Sequence, residues 1–286
     1  MSPGTVLANS EMREWKMKDG SAMMAEIFEV EESKSQVTLR DQEGKLHPIE
    51  VAKLDDLNRA WLLEWIEMNE ELGEKVKELG GRFTRRVALG EGLTTGYYVY
   101  EPVSVVKEGK IGPLMMLFCP SGQPIRFLLR HVEAAEKAGI TIVTGDHFRN
   151  GLPQEIAIQR YRAVVASLQK ELPYPQDRFF LGGTSGGALL SFRLSAEVPE
   201  HVVAGVYSNG GWLGHRHEAE RPYPAMRAAI VNGDRDRAAN FYNEGMIKIL
   251  QDRQCVLSIF AFEGGHQVPP SSVQLKSFRW LLGETD

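Results

Sequence analysis

The chain is poor in cysteine, in long apolar runs and in positive charge. Its two thiols, Cys119 and Cys255, are too few for a disulfide scaffold or for a zinc centre built on several thiolates. No apolar stretch approaches the roughly 20 residues of a membrane helix, so no membrane span is expected. Residues 1–7 lack a basic segment leading into an apolar one, and no secretory leader is legible there. The net charge is -5, and residues 1–80 carry 18 acidic against 10 basic side chains, leaving 20 against 23 for the remainder. Binding a phosphate backbone depends on clustered Lys and Arg that release counterions, so no nucleic acid is expected as partner.

What is present is the composition of a folded protein: 43% hydrophobic residues, 25% charged residues and five Trp in 286 residues. That length fits one enzyme-sized unit with a small appendage. Residues 11–53 read as short strands with turn punctuation, among them 14–17, 22–30, 36–40 and 45–51, as in a small β-barrel. From Leu54 the apolar residues Leu57, Trp61, Trp65, Met68, Leu72, Val76 and Leu79 recur at threes and fours, predicting an amphipathic helix that Gly80-Gly81 stops. A helix with two Trp on one face must bury that face. Its docking partner, whether barrel, larger domain or a second copy in a homodimer, is left open.

From Arg82 onward strands and helices alternate. Strands are predicted at 82–89, 97–101, 114–119, 140–144, 178–181, 202–207, 228–231 and 256–262, and helices at 125–137, 154–171, 186–196, 239–252 and 271–282. This is the pattern of an α/β fold, a mostly parallel sheet with helices on both faces. Ligands of such sheets bind beyond the carboxyl ends of the strands. At one of those ends Gly183-Thr184-Ser185-Gly186-Gly187 spells G-x-S-x-G between a strand and a helix, a turn that lifts a Ser hydroxyl clear of the backbone. A neutral Ser is a poor nucleophile and needs a base, itself oriented by an acceptor. Asn232-Gly233-Asp234-Arg235-Asp236 and Glu263-Gly264-Gly265-His266-Gln267 follow two later strands and supply both in the order Ser185, Asp236, His266. Asp234 is the alternative acid.

On these residues, Gly182 to Gly187, Gly233 to Asp236 and Gly264 to His266, the segment 82–286 resembles the α/β-hydrolase superfamily, and more narrowly bacterial esterases of the polyhydroxyalkanoate-depolymerase and feruloyl-esterase type. The resemblance implies Ser185 as nucleophile, His266 as general base and then acid, and Asp236 as its orienting carboxylate. It also requires oxyanion donors. Gly186 is one; the second belongs to the loop after strand 114–119, where Pro120-Ser121-Gly122-Gln123 replaces the familiar His-Gly-Gly-Gly, with the Gln123 N–H first and Gly122 next.

Around the same mouth, Trp212, His147, Phe148 and Arg149 are candidate substrate contacts. His215 and His217 could share a metal, but no third ligand accompanies them, and neither metal nor organic cofactor is expected. Only about twenty residues separate strand 202–207 from strand 228–231, too few for a helical lid, which leaves an open cleft suited to bulky aromatic or polymeric esters. The expected activity is carboxylic ester hydrolysis through an acyl-Ser185 intermediate. The rivals are a peptidase of the prolyl-oligopeptidase kind and a catalytically silent binding protein.

In front, Glu14 to Gly20, Ala25 to Phe28, Val37 to Arg40, Gly44-Lys45 and Ile49 to Leu54 resemble the first homology domain of the fungal Sla endocytic adaptor, an SH3-like barrel. The resemblance implies an SH3-like domain at 11–58, a linking helix at 59–81 and a catalytic domain at 82–286. In the adaptor this domain reads an Asn-Pro-Phe peptide. Here a structural or targeting accessory is expected ahead of a peptide or polymer reader. Similar front domains in bacteria point to an extracytoplasmic home after loss of a leader, with the cytoplasm as the alternative.

Overall fold

A computed structural model describes residues 12–90, 92–109, 112–146, 148–213 and 221–284. The chain divides into two compact units, residues 1–75 and 76–286.

In the first unit, β1 (Arg13–Lys16), β2 (Ala22–Val30), β3 (Gln36–Asp41) and β4 (Leu46–Glu50) form a four-stranded antiparallel meander in sequence order. Strand periodicity puts Trp15, Ala25, Ile27, Val37 and Leu39 on one face, where all are buried. The register slips between Ile27 and Glu29, a bulge that bends β2. Asp55 starts α1 (Asp56–Leu79) by accepting the Asn58 N–H at 2.7 Å. On the helix, Leu62, Trp65 and Ile66 are buried. Trp15 donates from Nε1 to the Ala25 carbonyl and meets Trp61 edge-on at 5.6 Å. Trp61 in turn stacks on Trp65 at 6.4 Å. Each such large side chain contributes about 1.5–3 kcal/mol by burial.

The second unit is an eight-stranded sheet in the order β12-β11-β10-β9-β7-β8-β6-β5. Its strands are β5 (Arg82–Gly90), β6 (Leu93–Glu101), β7 (Leu114–Phe118), β8 (Thr141–Gly145), β9 (Phe179–Thr184), β10 (Gly205–Asn209), β11 (Arg227–Gly233) and β12 (Val256–Phe262). From β12 to β8 all neighbours are parallel, and the β5–β6 hairpin is added antiparallel at the β8 edge. Strands β7, β8 and β10 are buried at every residue, as a parallel sheet covered on both faces requires. Helices α5 (Gln154–Glu171) and α6 (Gly186–Glu197) pack over β5–β6 and over β7, β9 and β10, while α8 (Ser271–Leu282) packs with α4 (Val132–Ala138) and over β10–β12. Alternation along β10 shows both faces: Val206 joins the core that includes Phe192 of α6, and Tyr207 meets Phe278 of α8 at 5.1 Å.

Several elements differ from the sequence reading, β6 among them, which starts at Leu93 and not at 97. The helix expected at 125–137 is two, α3 (Pro124–Leu129) and α4, because the Arg130 and His131 N–H groups turn back to the Phe127 and Leu128 carbonyls and tighten the chain. A short α2 (Val103–Glu108), closed by Gly109 at φ 65, has too few residues to leave a periodic signal. Strand β10 starts at Gly205, since Val202 is exposed, and runs on to Asn209.

Candidate active site

The carboxyl ends of β7, β9, β10, β11 and β12 converge, and the site is built there. Ser185 joins β9 to α6 with φ 56 and ψ -123, a conformation that costs a non-glycine residue about 1–3 kcal/mol. Close packing holds it in place. A side chain on Gly187 would overlap the Phe118 carbonyl, and one on Gly183 would lie 2.6 Å from the Gly187 backbone. The Ser185 N–H donates to the Asn209 carbonyl at 2.8 Å.

The candidate acid and base follow the ends of β11 and β12. His266 Nδ1 and Asp236 Oδ2 share a hydrogen bond of 2.6 Å. The other carboxylate oxygen, Oδ1, accepts the Ala239 N–H at 3.2 Å and caps α7 (Arg237–Asp252). Asp236 is buried, whereas the His266 side chain keeps 44% of its surface exposed. Asp234 does something else: its Oδ1 accepts the Gly264 N–H at 2.8 Å, and the Arg235 N–H answers to the Gly264 carbonyl, lacing the two loops together. Gly210 lies so near that a Cβ there would come within 3.1 Å of both Asp236 Oδ2 and His266 Nδ1.

One buried residue that the sequence reading passed over joins these halves. Asn209 donates from Nδ2 to Thr184 Oγ1 at 2.9 Å and to the Gln267 carbonyl at 3.0 Å. The neighbours of Ser185 and of His266 are therefore held to one side chain. Its only sequence signal is an amide at the end of an apolar strand. Ser185 Oγ and the imidazole are not hydrogen-bonded to each other among the described residues.

Ser185 opens onto a cleft of about 330 Å³ whose walls include Phe148, Arg149, Asn150, Leu190 and Trp212. Phe148 is wholly buried and packs on Phe118 at 4.9 Å, so it forms the cleft's foundation instead of its edge. Trp212 is half-buried and stacks on Tyr242 of α7 at 5.2 Å. Arg149 is exposed, and its backbone bridges to Ser121. Just before this loop, the buried Asp146 carboxylate pairs with Arg85 at 2.8 Å. Gly186 begins α6 at the cleft wall. Gly122 and Gln123 are not among the described wall residues, and Gln123 instead precedes α3, its carbonyl accepting the Phe127 N–H. His147 lies outside the described residues, as do His215, His217 and the rest of 214–220 in the segment expected to be too short for a lid. No cluster of potential metal ligands occurs among the described residues, nor is any described helix long and apolar enough to cross a membrane.

No protein-family model matches the sequence. No curated protein matches it either. Solved structures do. An esterase of Mycobacterium marinum, LipW, superposes with a TM-score of 0.58 at 15% identity, covering 82% of this chain and 96% of that one. A ferulic acid esterase covers 70% of this chain and 97% of its own with a TM-score of 0.52 at 12% identity. A Bacteroides ovatus protein, provisionally assigned as a dipeptidyl aminopeptidase IV, matches 96% of this chain but only 43% of its own, with a TM-score of 0.59 at 12% identity. At such identities the likeness concerns the fold, and the larger unit has the α/β-hydrolase fold that the esterases share.

Proposed function

We propose that the chain is a serine hydrolase of carboxylic esters, with Ser185 as nucleophile, His266 as base and acid, and Asp236 as the carboxylate that orients it. The observation that carries the reading is the 2.6 Å His266–Asp236 contact at the strand ends beside the Ser185 elbow. With Nδ1 bound to the carboxylate, Nε2 is left to take the Ser185 proton. As Oγ bonds to the ester carbon, the carbonyl π pair moves onto oxygen and the proton passes to Nε2. Collapse re-forms the carbonyl and breaks the bond to the alcohol oxygen, which leaves with the proton from His266. Water then repeats the sequence on acyl-Ser185, giving its proton to His266 and releasing the acid. The Gly186 N–H, at the positive end of α6, is one donor to the oxyanion. From the sequence, the Gln123 and Gly122 N–H groups are the candidates for the other.

The cleft, with Trp212 stacked beside it, favours bulky, aromatic or polymeric acyl or alcohol groups. The front unit, residues 11–58 with the helix after it, is in this reading an SH3-like accessory to the catalytic domain at 82–286. A panel of aryl, alkyl and polymeric esters, run with matched amides on wild type and Ser185→Ala, tests the proposal. Ester turnover lost in the variant supports it, and preferential cleavage of the amides replaces it with a peptidase. Activity confined to acetyl-sized groups removes the claim about bulk. A folded protein that takes no fluorophosphonate label on Ser185 is a binding module.

A further inference from the structure

Attack by Ser185 places charge on the former carbonyl oxygen, and a single N–H at Gly186 leaves that charge half-supported. Of the loop after β7, only Cys119 and Pro120 are among the described walls of the cleft. Pro120, which lines the cleft, has no N–H to give. Ser121 pairs with Arg149 in an isolated antiparallel bridge, with the Asn150 N–H donating to the Pro120 carbonyl at 2.9 Å. In a bridge of that pattern the Gly122 N–H faces the Phe148 segment, whereas the Ser121 N–H points away from Arg149, and Ser121 is not among the described walls of the cleft. Gln123 sits one step further on, at the start of α3 and away from the described walls of the cleft.

The same bridge delivers a different donor. It fixes the backbone of Asn150 at the cleft, and the Asn150 carboxamide fills the space that a side chain on Gly186 would take. Asn150 Cγ lies 2.9 Å and Nδ2 3.4 Å from that Cβ position, with Oδ1 nearer still. Asn150 is exposed, lines the cleft with Ser185 and Gly186, and its carboxamide has no hydrogen-bond partner among the described residues. A half-turn about the last torsion therefore exchanges Oδ1 and Nδ2 without breaking a bond.

We propose that the Asn150 carboxamide N–H is the second oxyanion donor, a role that rests on the ester-hydrolase reading. The group is neutral, so it supports a developing negative charge without itself titrating, and its anchored backbone lowers the reorganisation needed during reaction. A side chain at residue 186 would displace the carboxamide.

The test compares wild type, Asn150→Ala, Asn150→Asp and Ser185→Ala in p-nitrophenyl acetate turnover, fluorophosphonate labelling rate and thermal midpoint. Asp keeps the shape of Asn but offers no N–H, which separates donation from packing. Both Asn150 variants are expected to lose about 10²–10³-fold in kcat and to label correspondingly slowly, with KM changed less than about threefold and the midpoint kept. Variants within about threefold of wild-type kcat overturn the proposal and return the role to Gln123 or Gly122. A loss that appears in KM, or only with a collapsed midpoint, overturns it as well. A wild type that neither turns over ester nor takes the label removes the hydrolase reading and this assignment together, whereas an active wild type matched by Asn150→Ala removes this assignment alone.

Discussion

The two halves of the candidate site are held by different means. The nucleophile half is backbone against backbone: a strained Ser185, with glycines at 183 and 187 pressed on the end of β7. The acid-base half is side chain against loop: Asp236 reaching His266, Asp234 holding Gly264, and Asn209 tying Gln267 to Thr184. Backbone packing tolerates almost no added atom, because a Cβ must displace a carbonyl. Side-chain lacing tolerates isosteric changes and reports on charge. The contrast predicts that mutations in the first half act chiefly on folding, with Ser185 itself excepted, and in the second chiefly on rate.

The sharpest break of that rule is the exception. Ser185→Ala should lower kcat by about 10⁴-fold or more with the thermal midpoint kept or raised, since Ala removes only the hydroxyl. Next, Asp236→Asn should cost about 10²–10⁴-fold in kcat by favouring the wrong imidazole tautomer, while its Oδ1 still caps α7. Asp234→Asn, which keeps an acceptor for the Gly264 N–H, should stay within about tenfold; an equal loss at both positions would mean that the loops act as one unit. On the other half, Gly187→Ala should raise the fraction unfolded in urea, with a stability loss of about 1–3 kcal/mol from overpacking against Phe118. A wild-type urea midpoint would show that the elbow is looser than its contacts imply.

Acid gives a subtler test. His131, at the α3–α4 junction, is buried, and desolvation pushes its pKa down to about 4, with the Arg130 charge adding and the Phe127 carbonyl opposing. The unfolded chain protonates near pH 6.5 but the native one only near 4, so stability falls as pH drops through that window and levels off below it, by roughly 3 kcal/mol for this group. Urea midpoints measured from pH 7 to 4 should show the slope, and His131→Gln should flatten it. A pH–rate profile that shifts in parallel would mean that apparent titration of the site is partly loss of fold.

The sequence was most legible where the chain speaks locally. Ser185 and its glycines are contiguous, and the β9–Ser185–α6 turn follows from their spacing. The order of Ser185, Asp236 and His266 was readable because each follows an apolar strand, yet only three dimensions separate Asp236 from Asp234, two residues apart with different partners. Asn209 and Asn150 escaped for the same reason. Their roles depend on contacts with residues 58 and 36 positions away, and an amide at a strand end or in a loop has no periodic signature. The break at His131 was hidden because apolar spacing continues through it, although the backbone does not.

Asp236 carries one more consequence. Its two oxygens act in opposite directions, one anchoring the first turn of α7 and the other meeting the imidazole, so a single carboxyl plane ties a sixteen-residue helix to the candidate base. Phe241 and Tyr242, on the second turn of that helix, are open to solvent, and Tyr242 carries the Trp212 ring. The rings beside the cleft and the carboxylate that meets the imidazole thus share one helix.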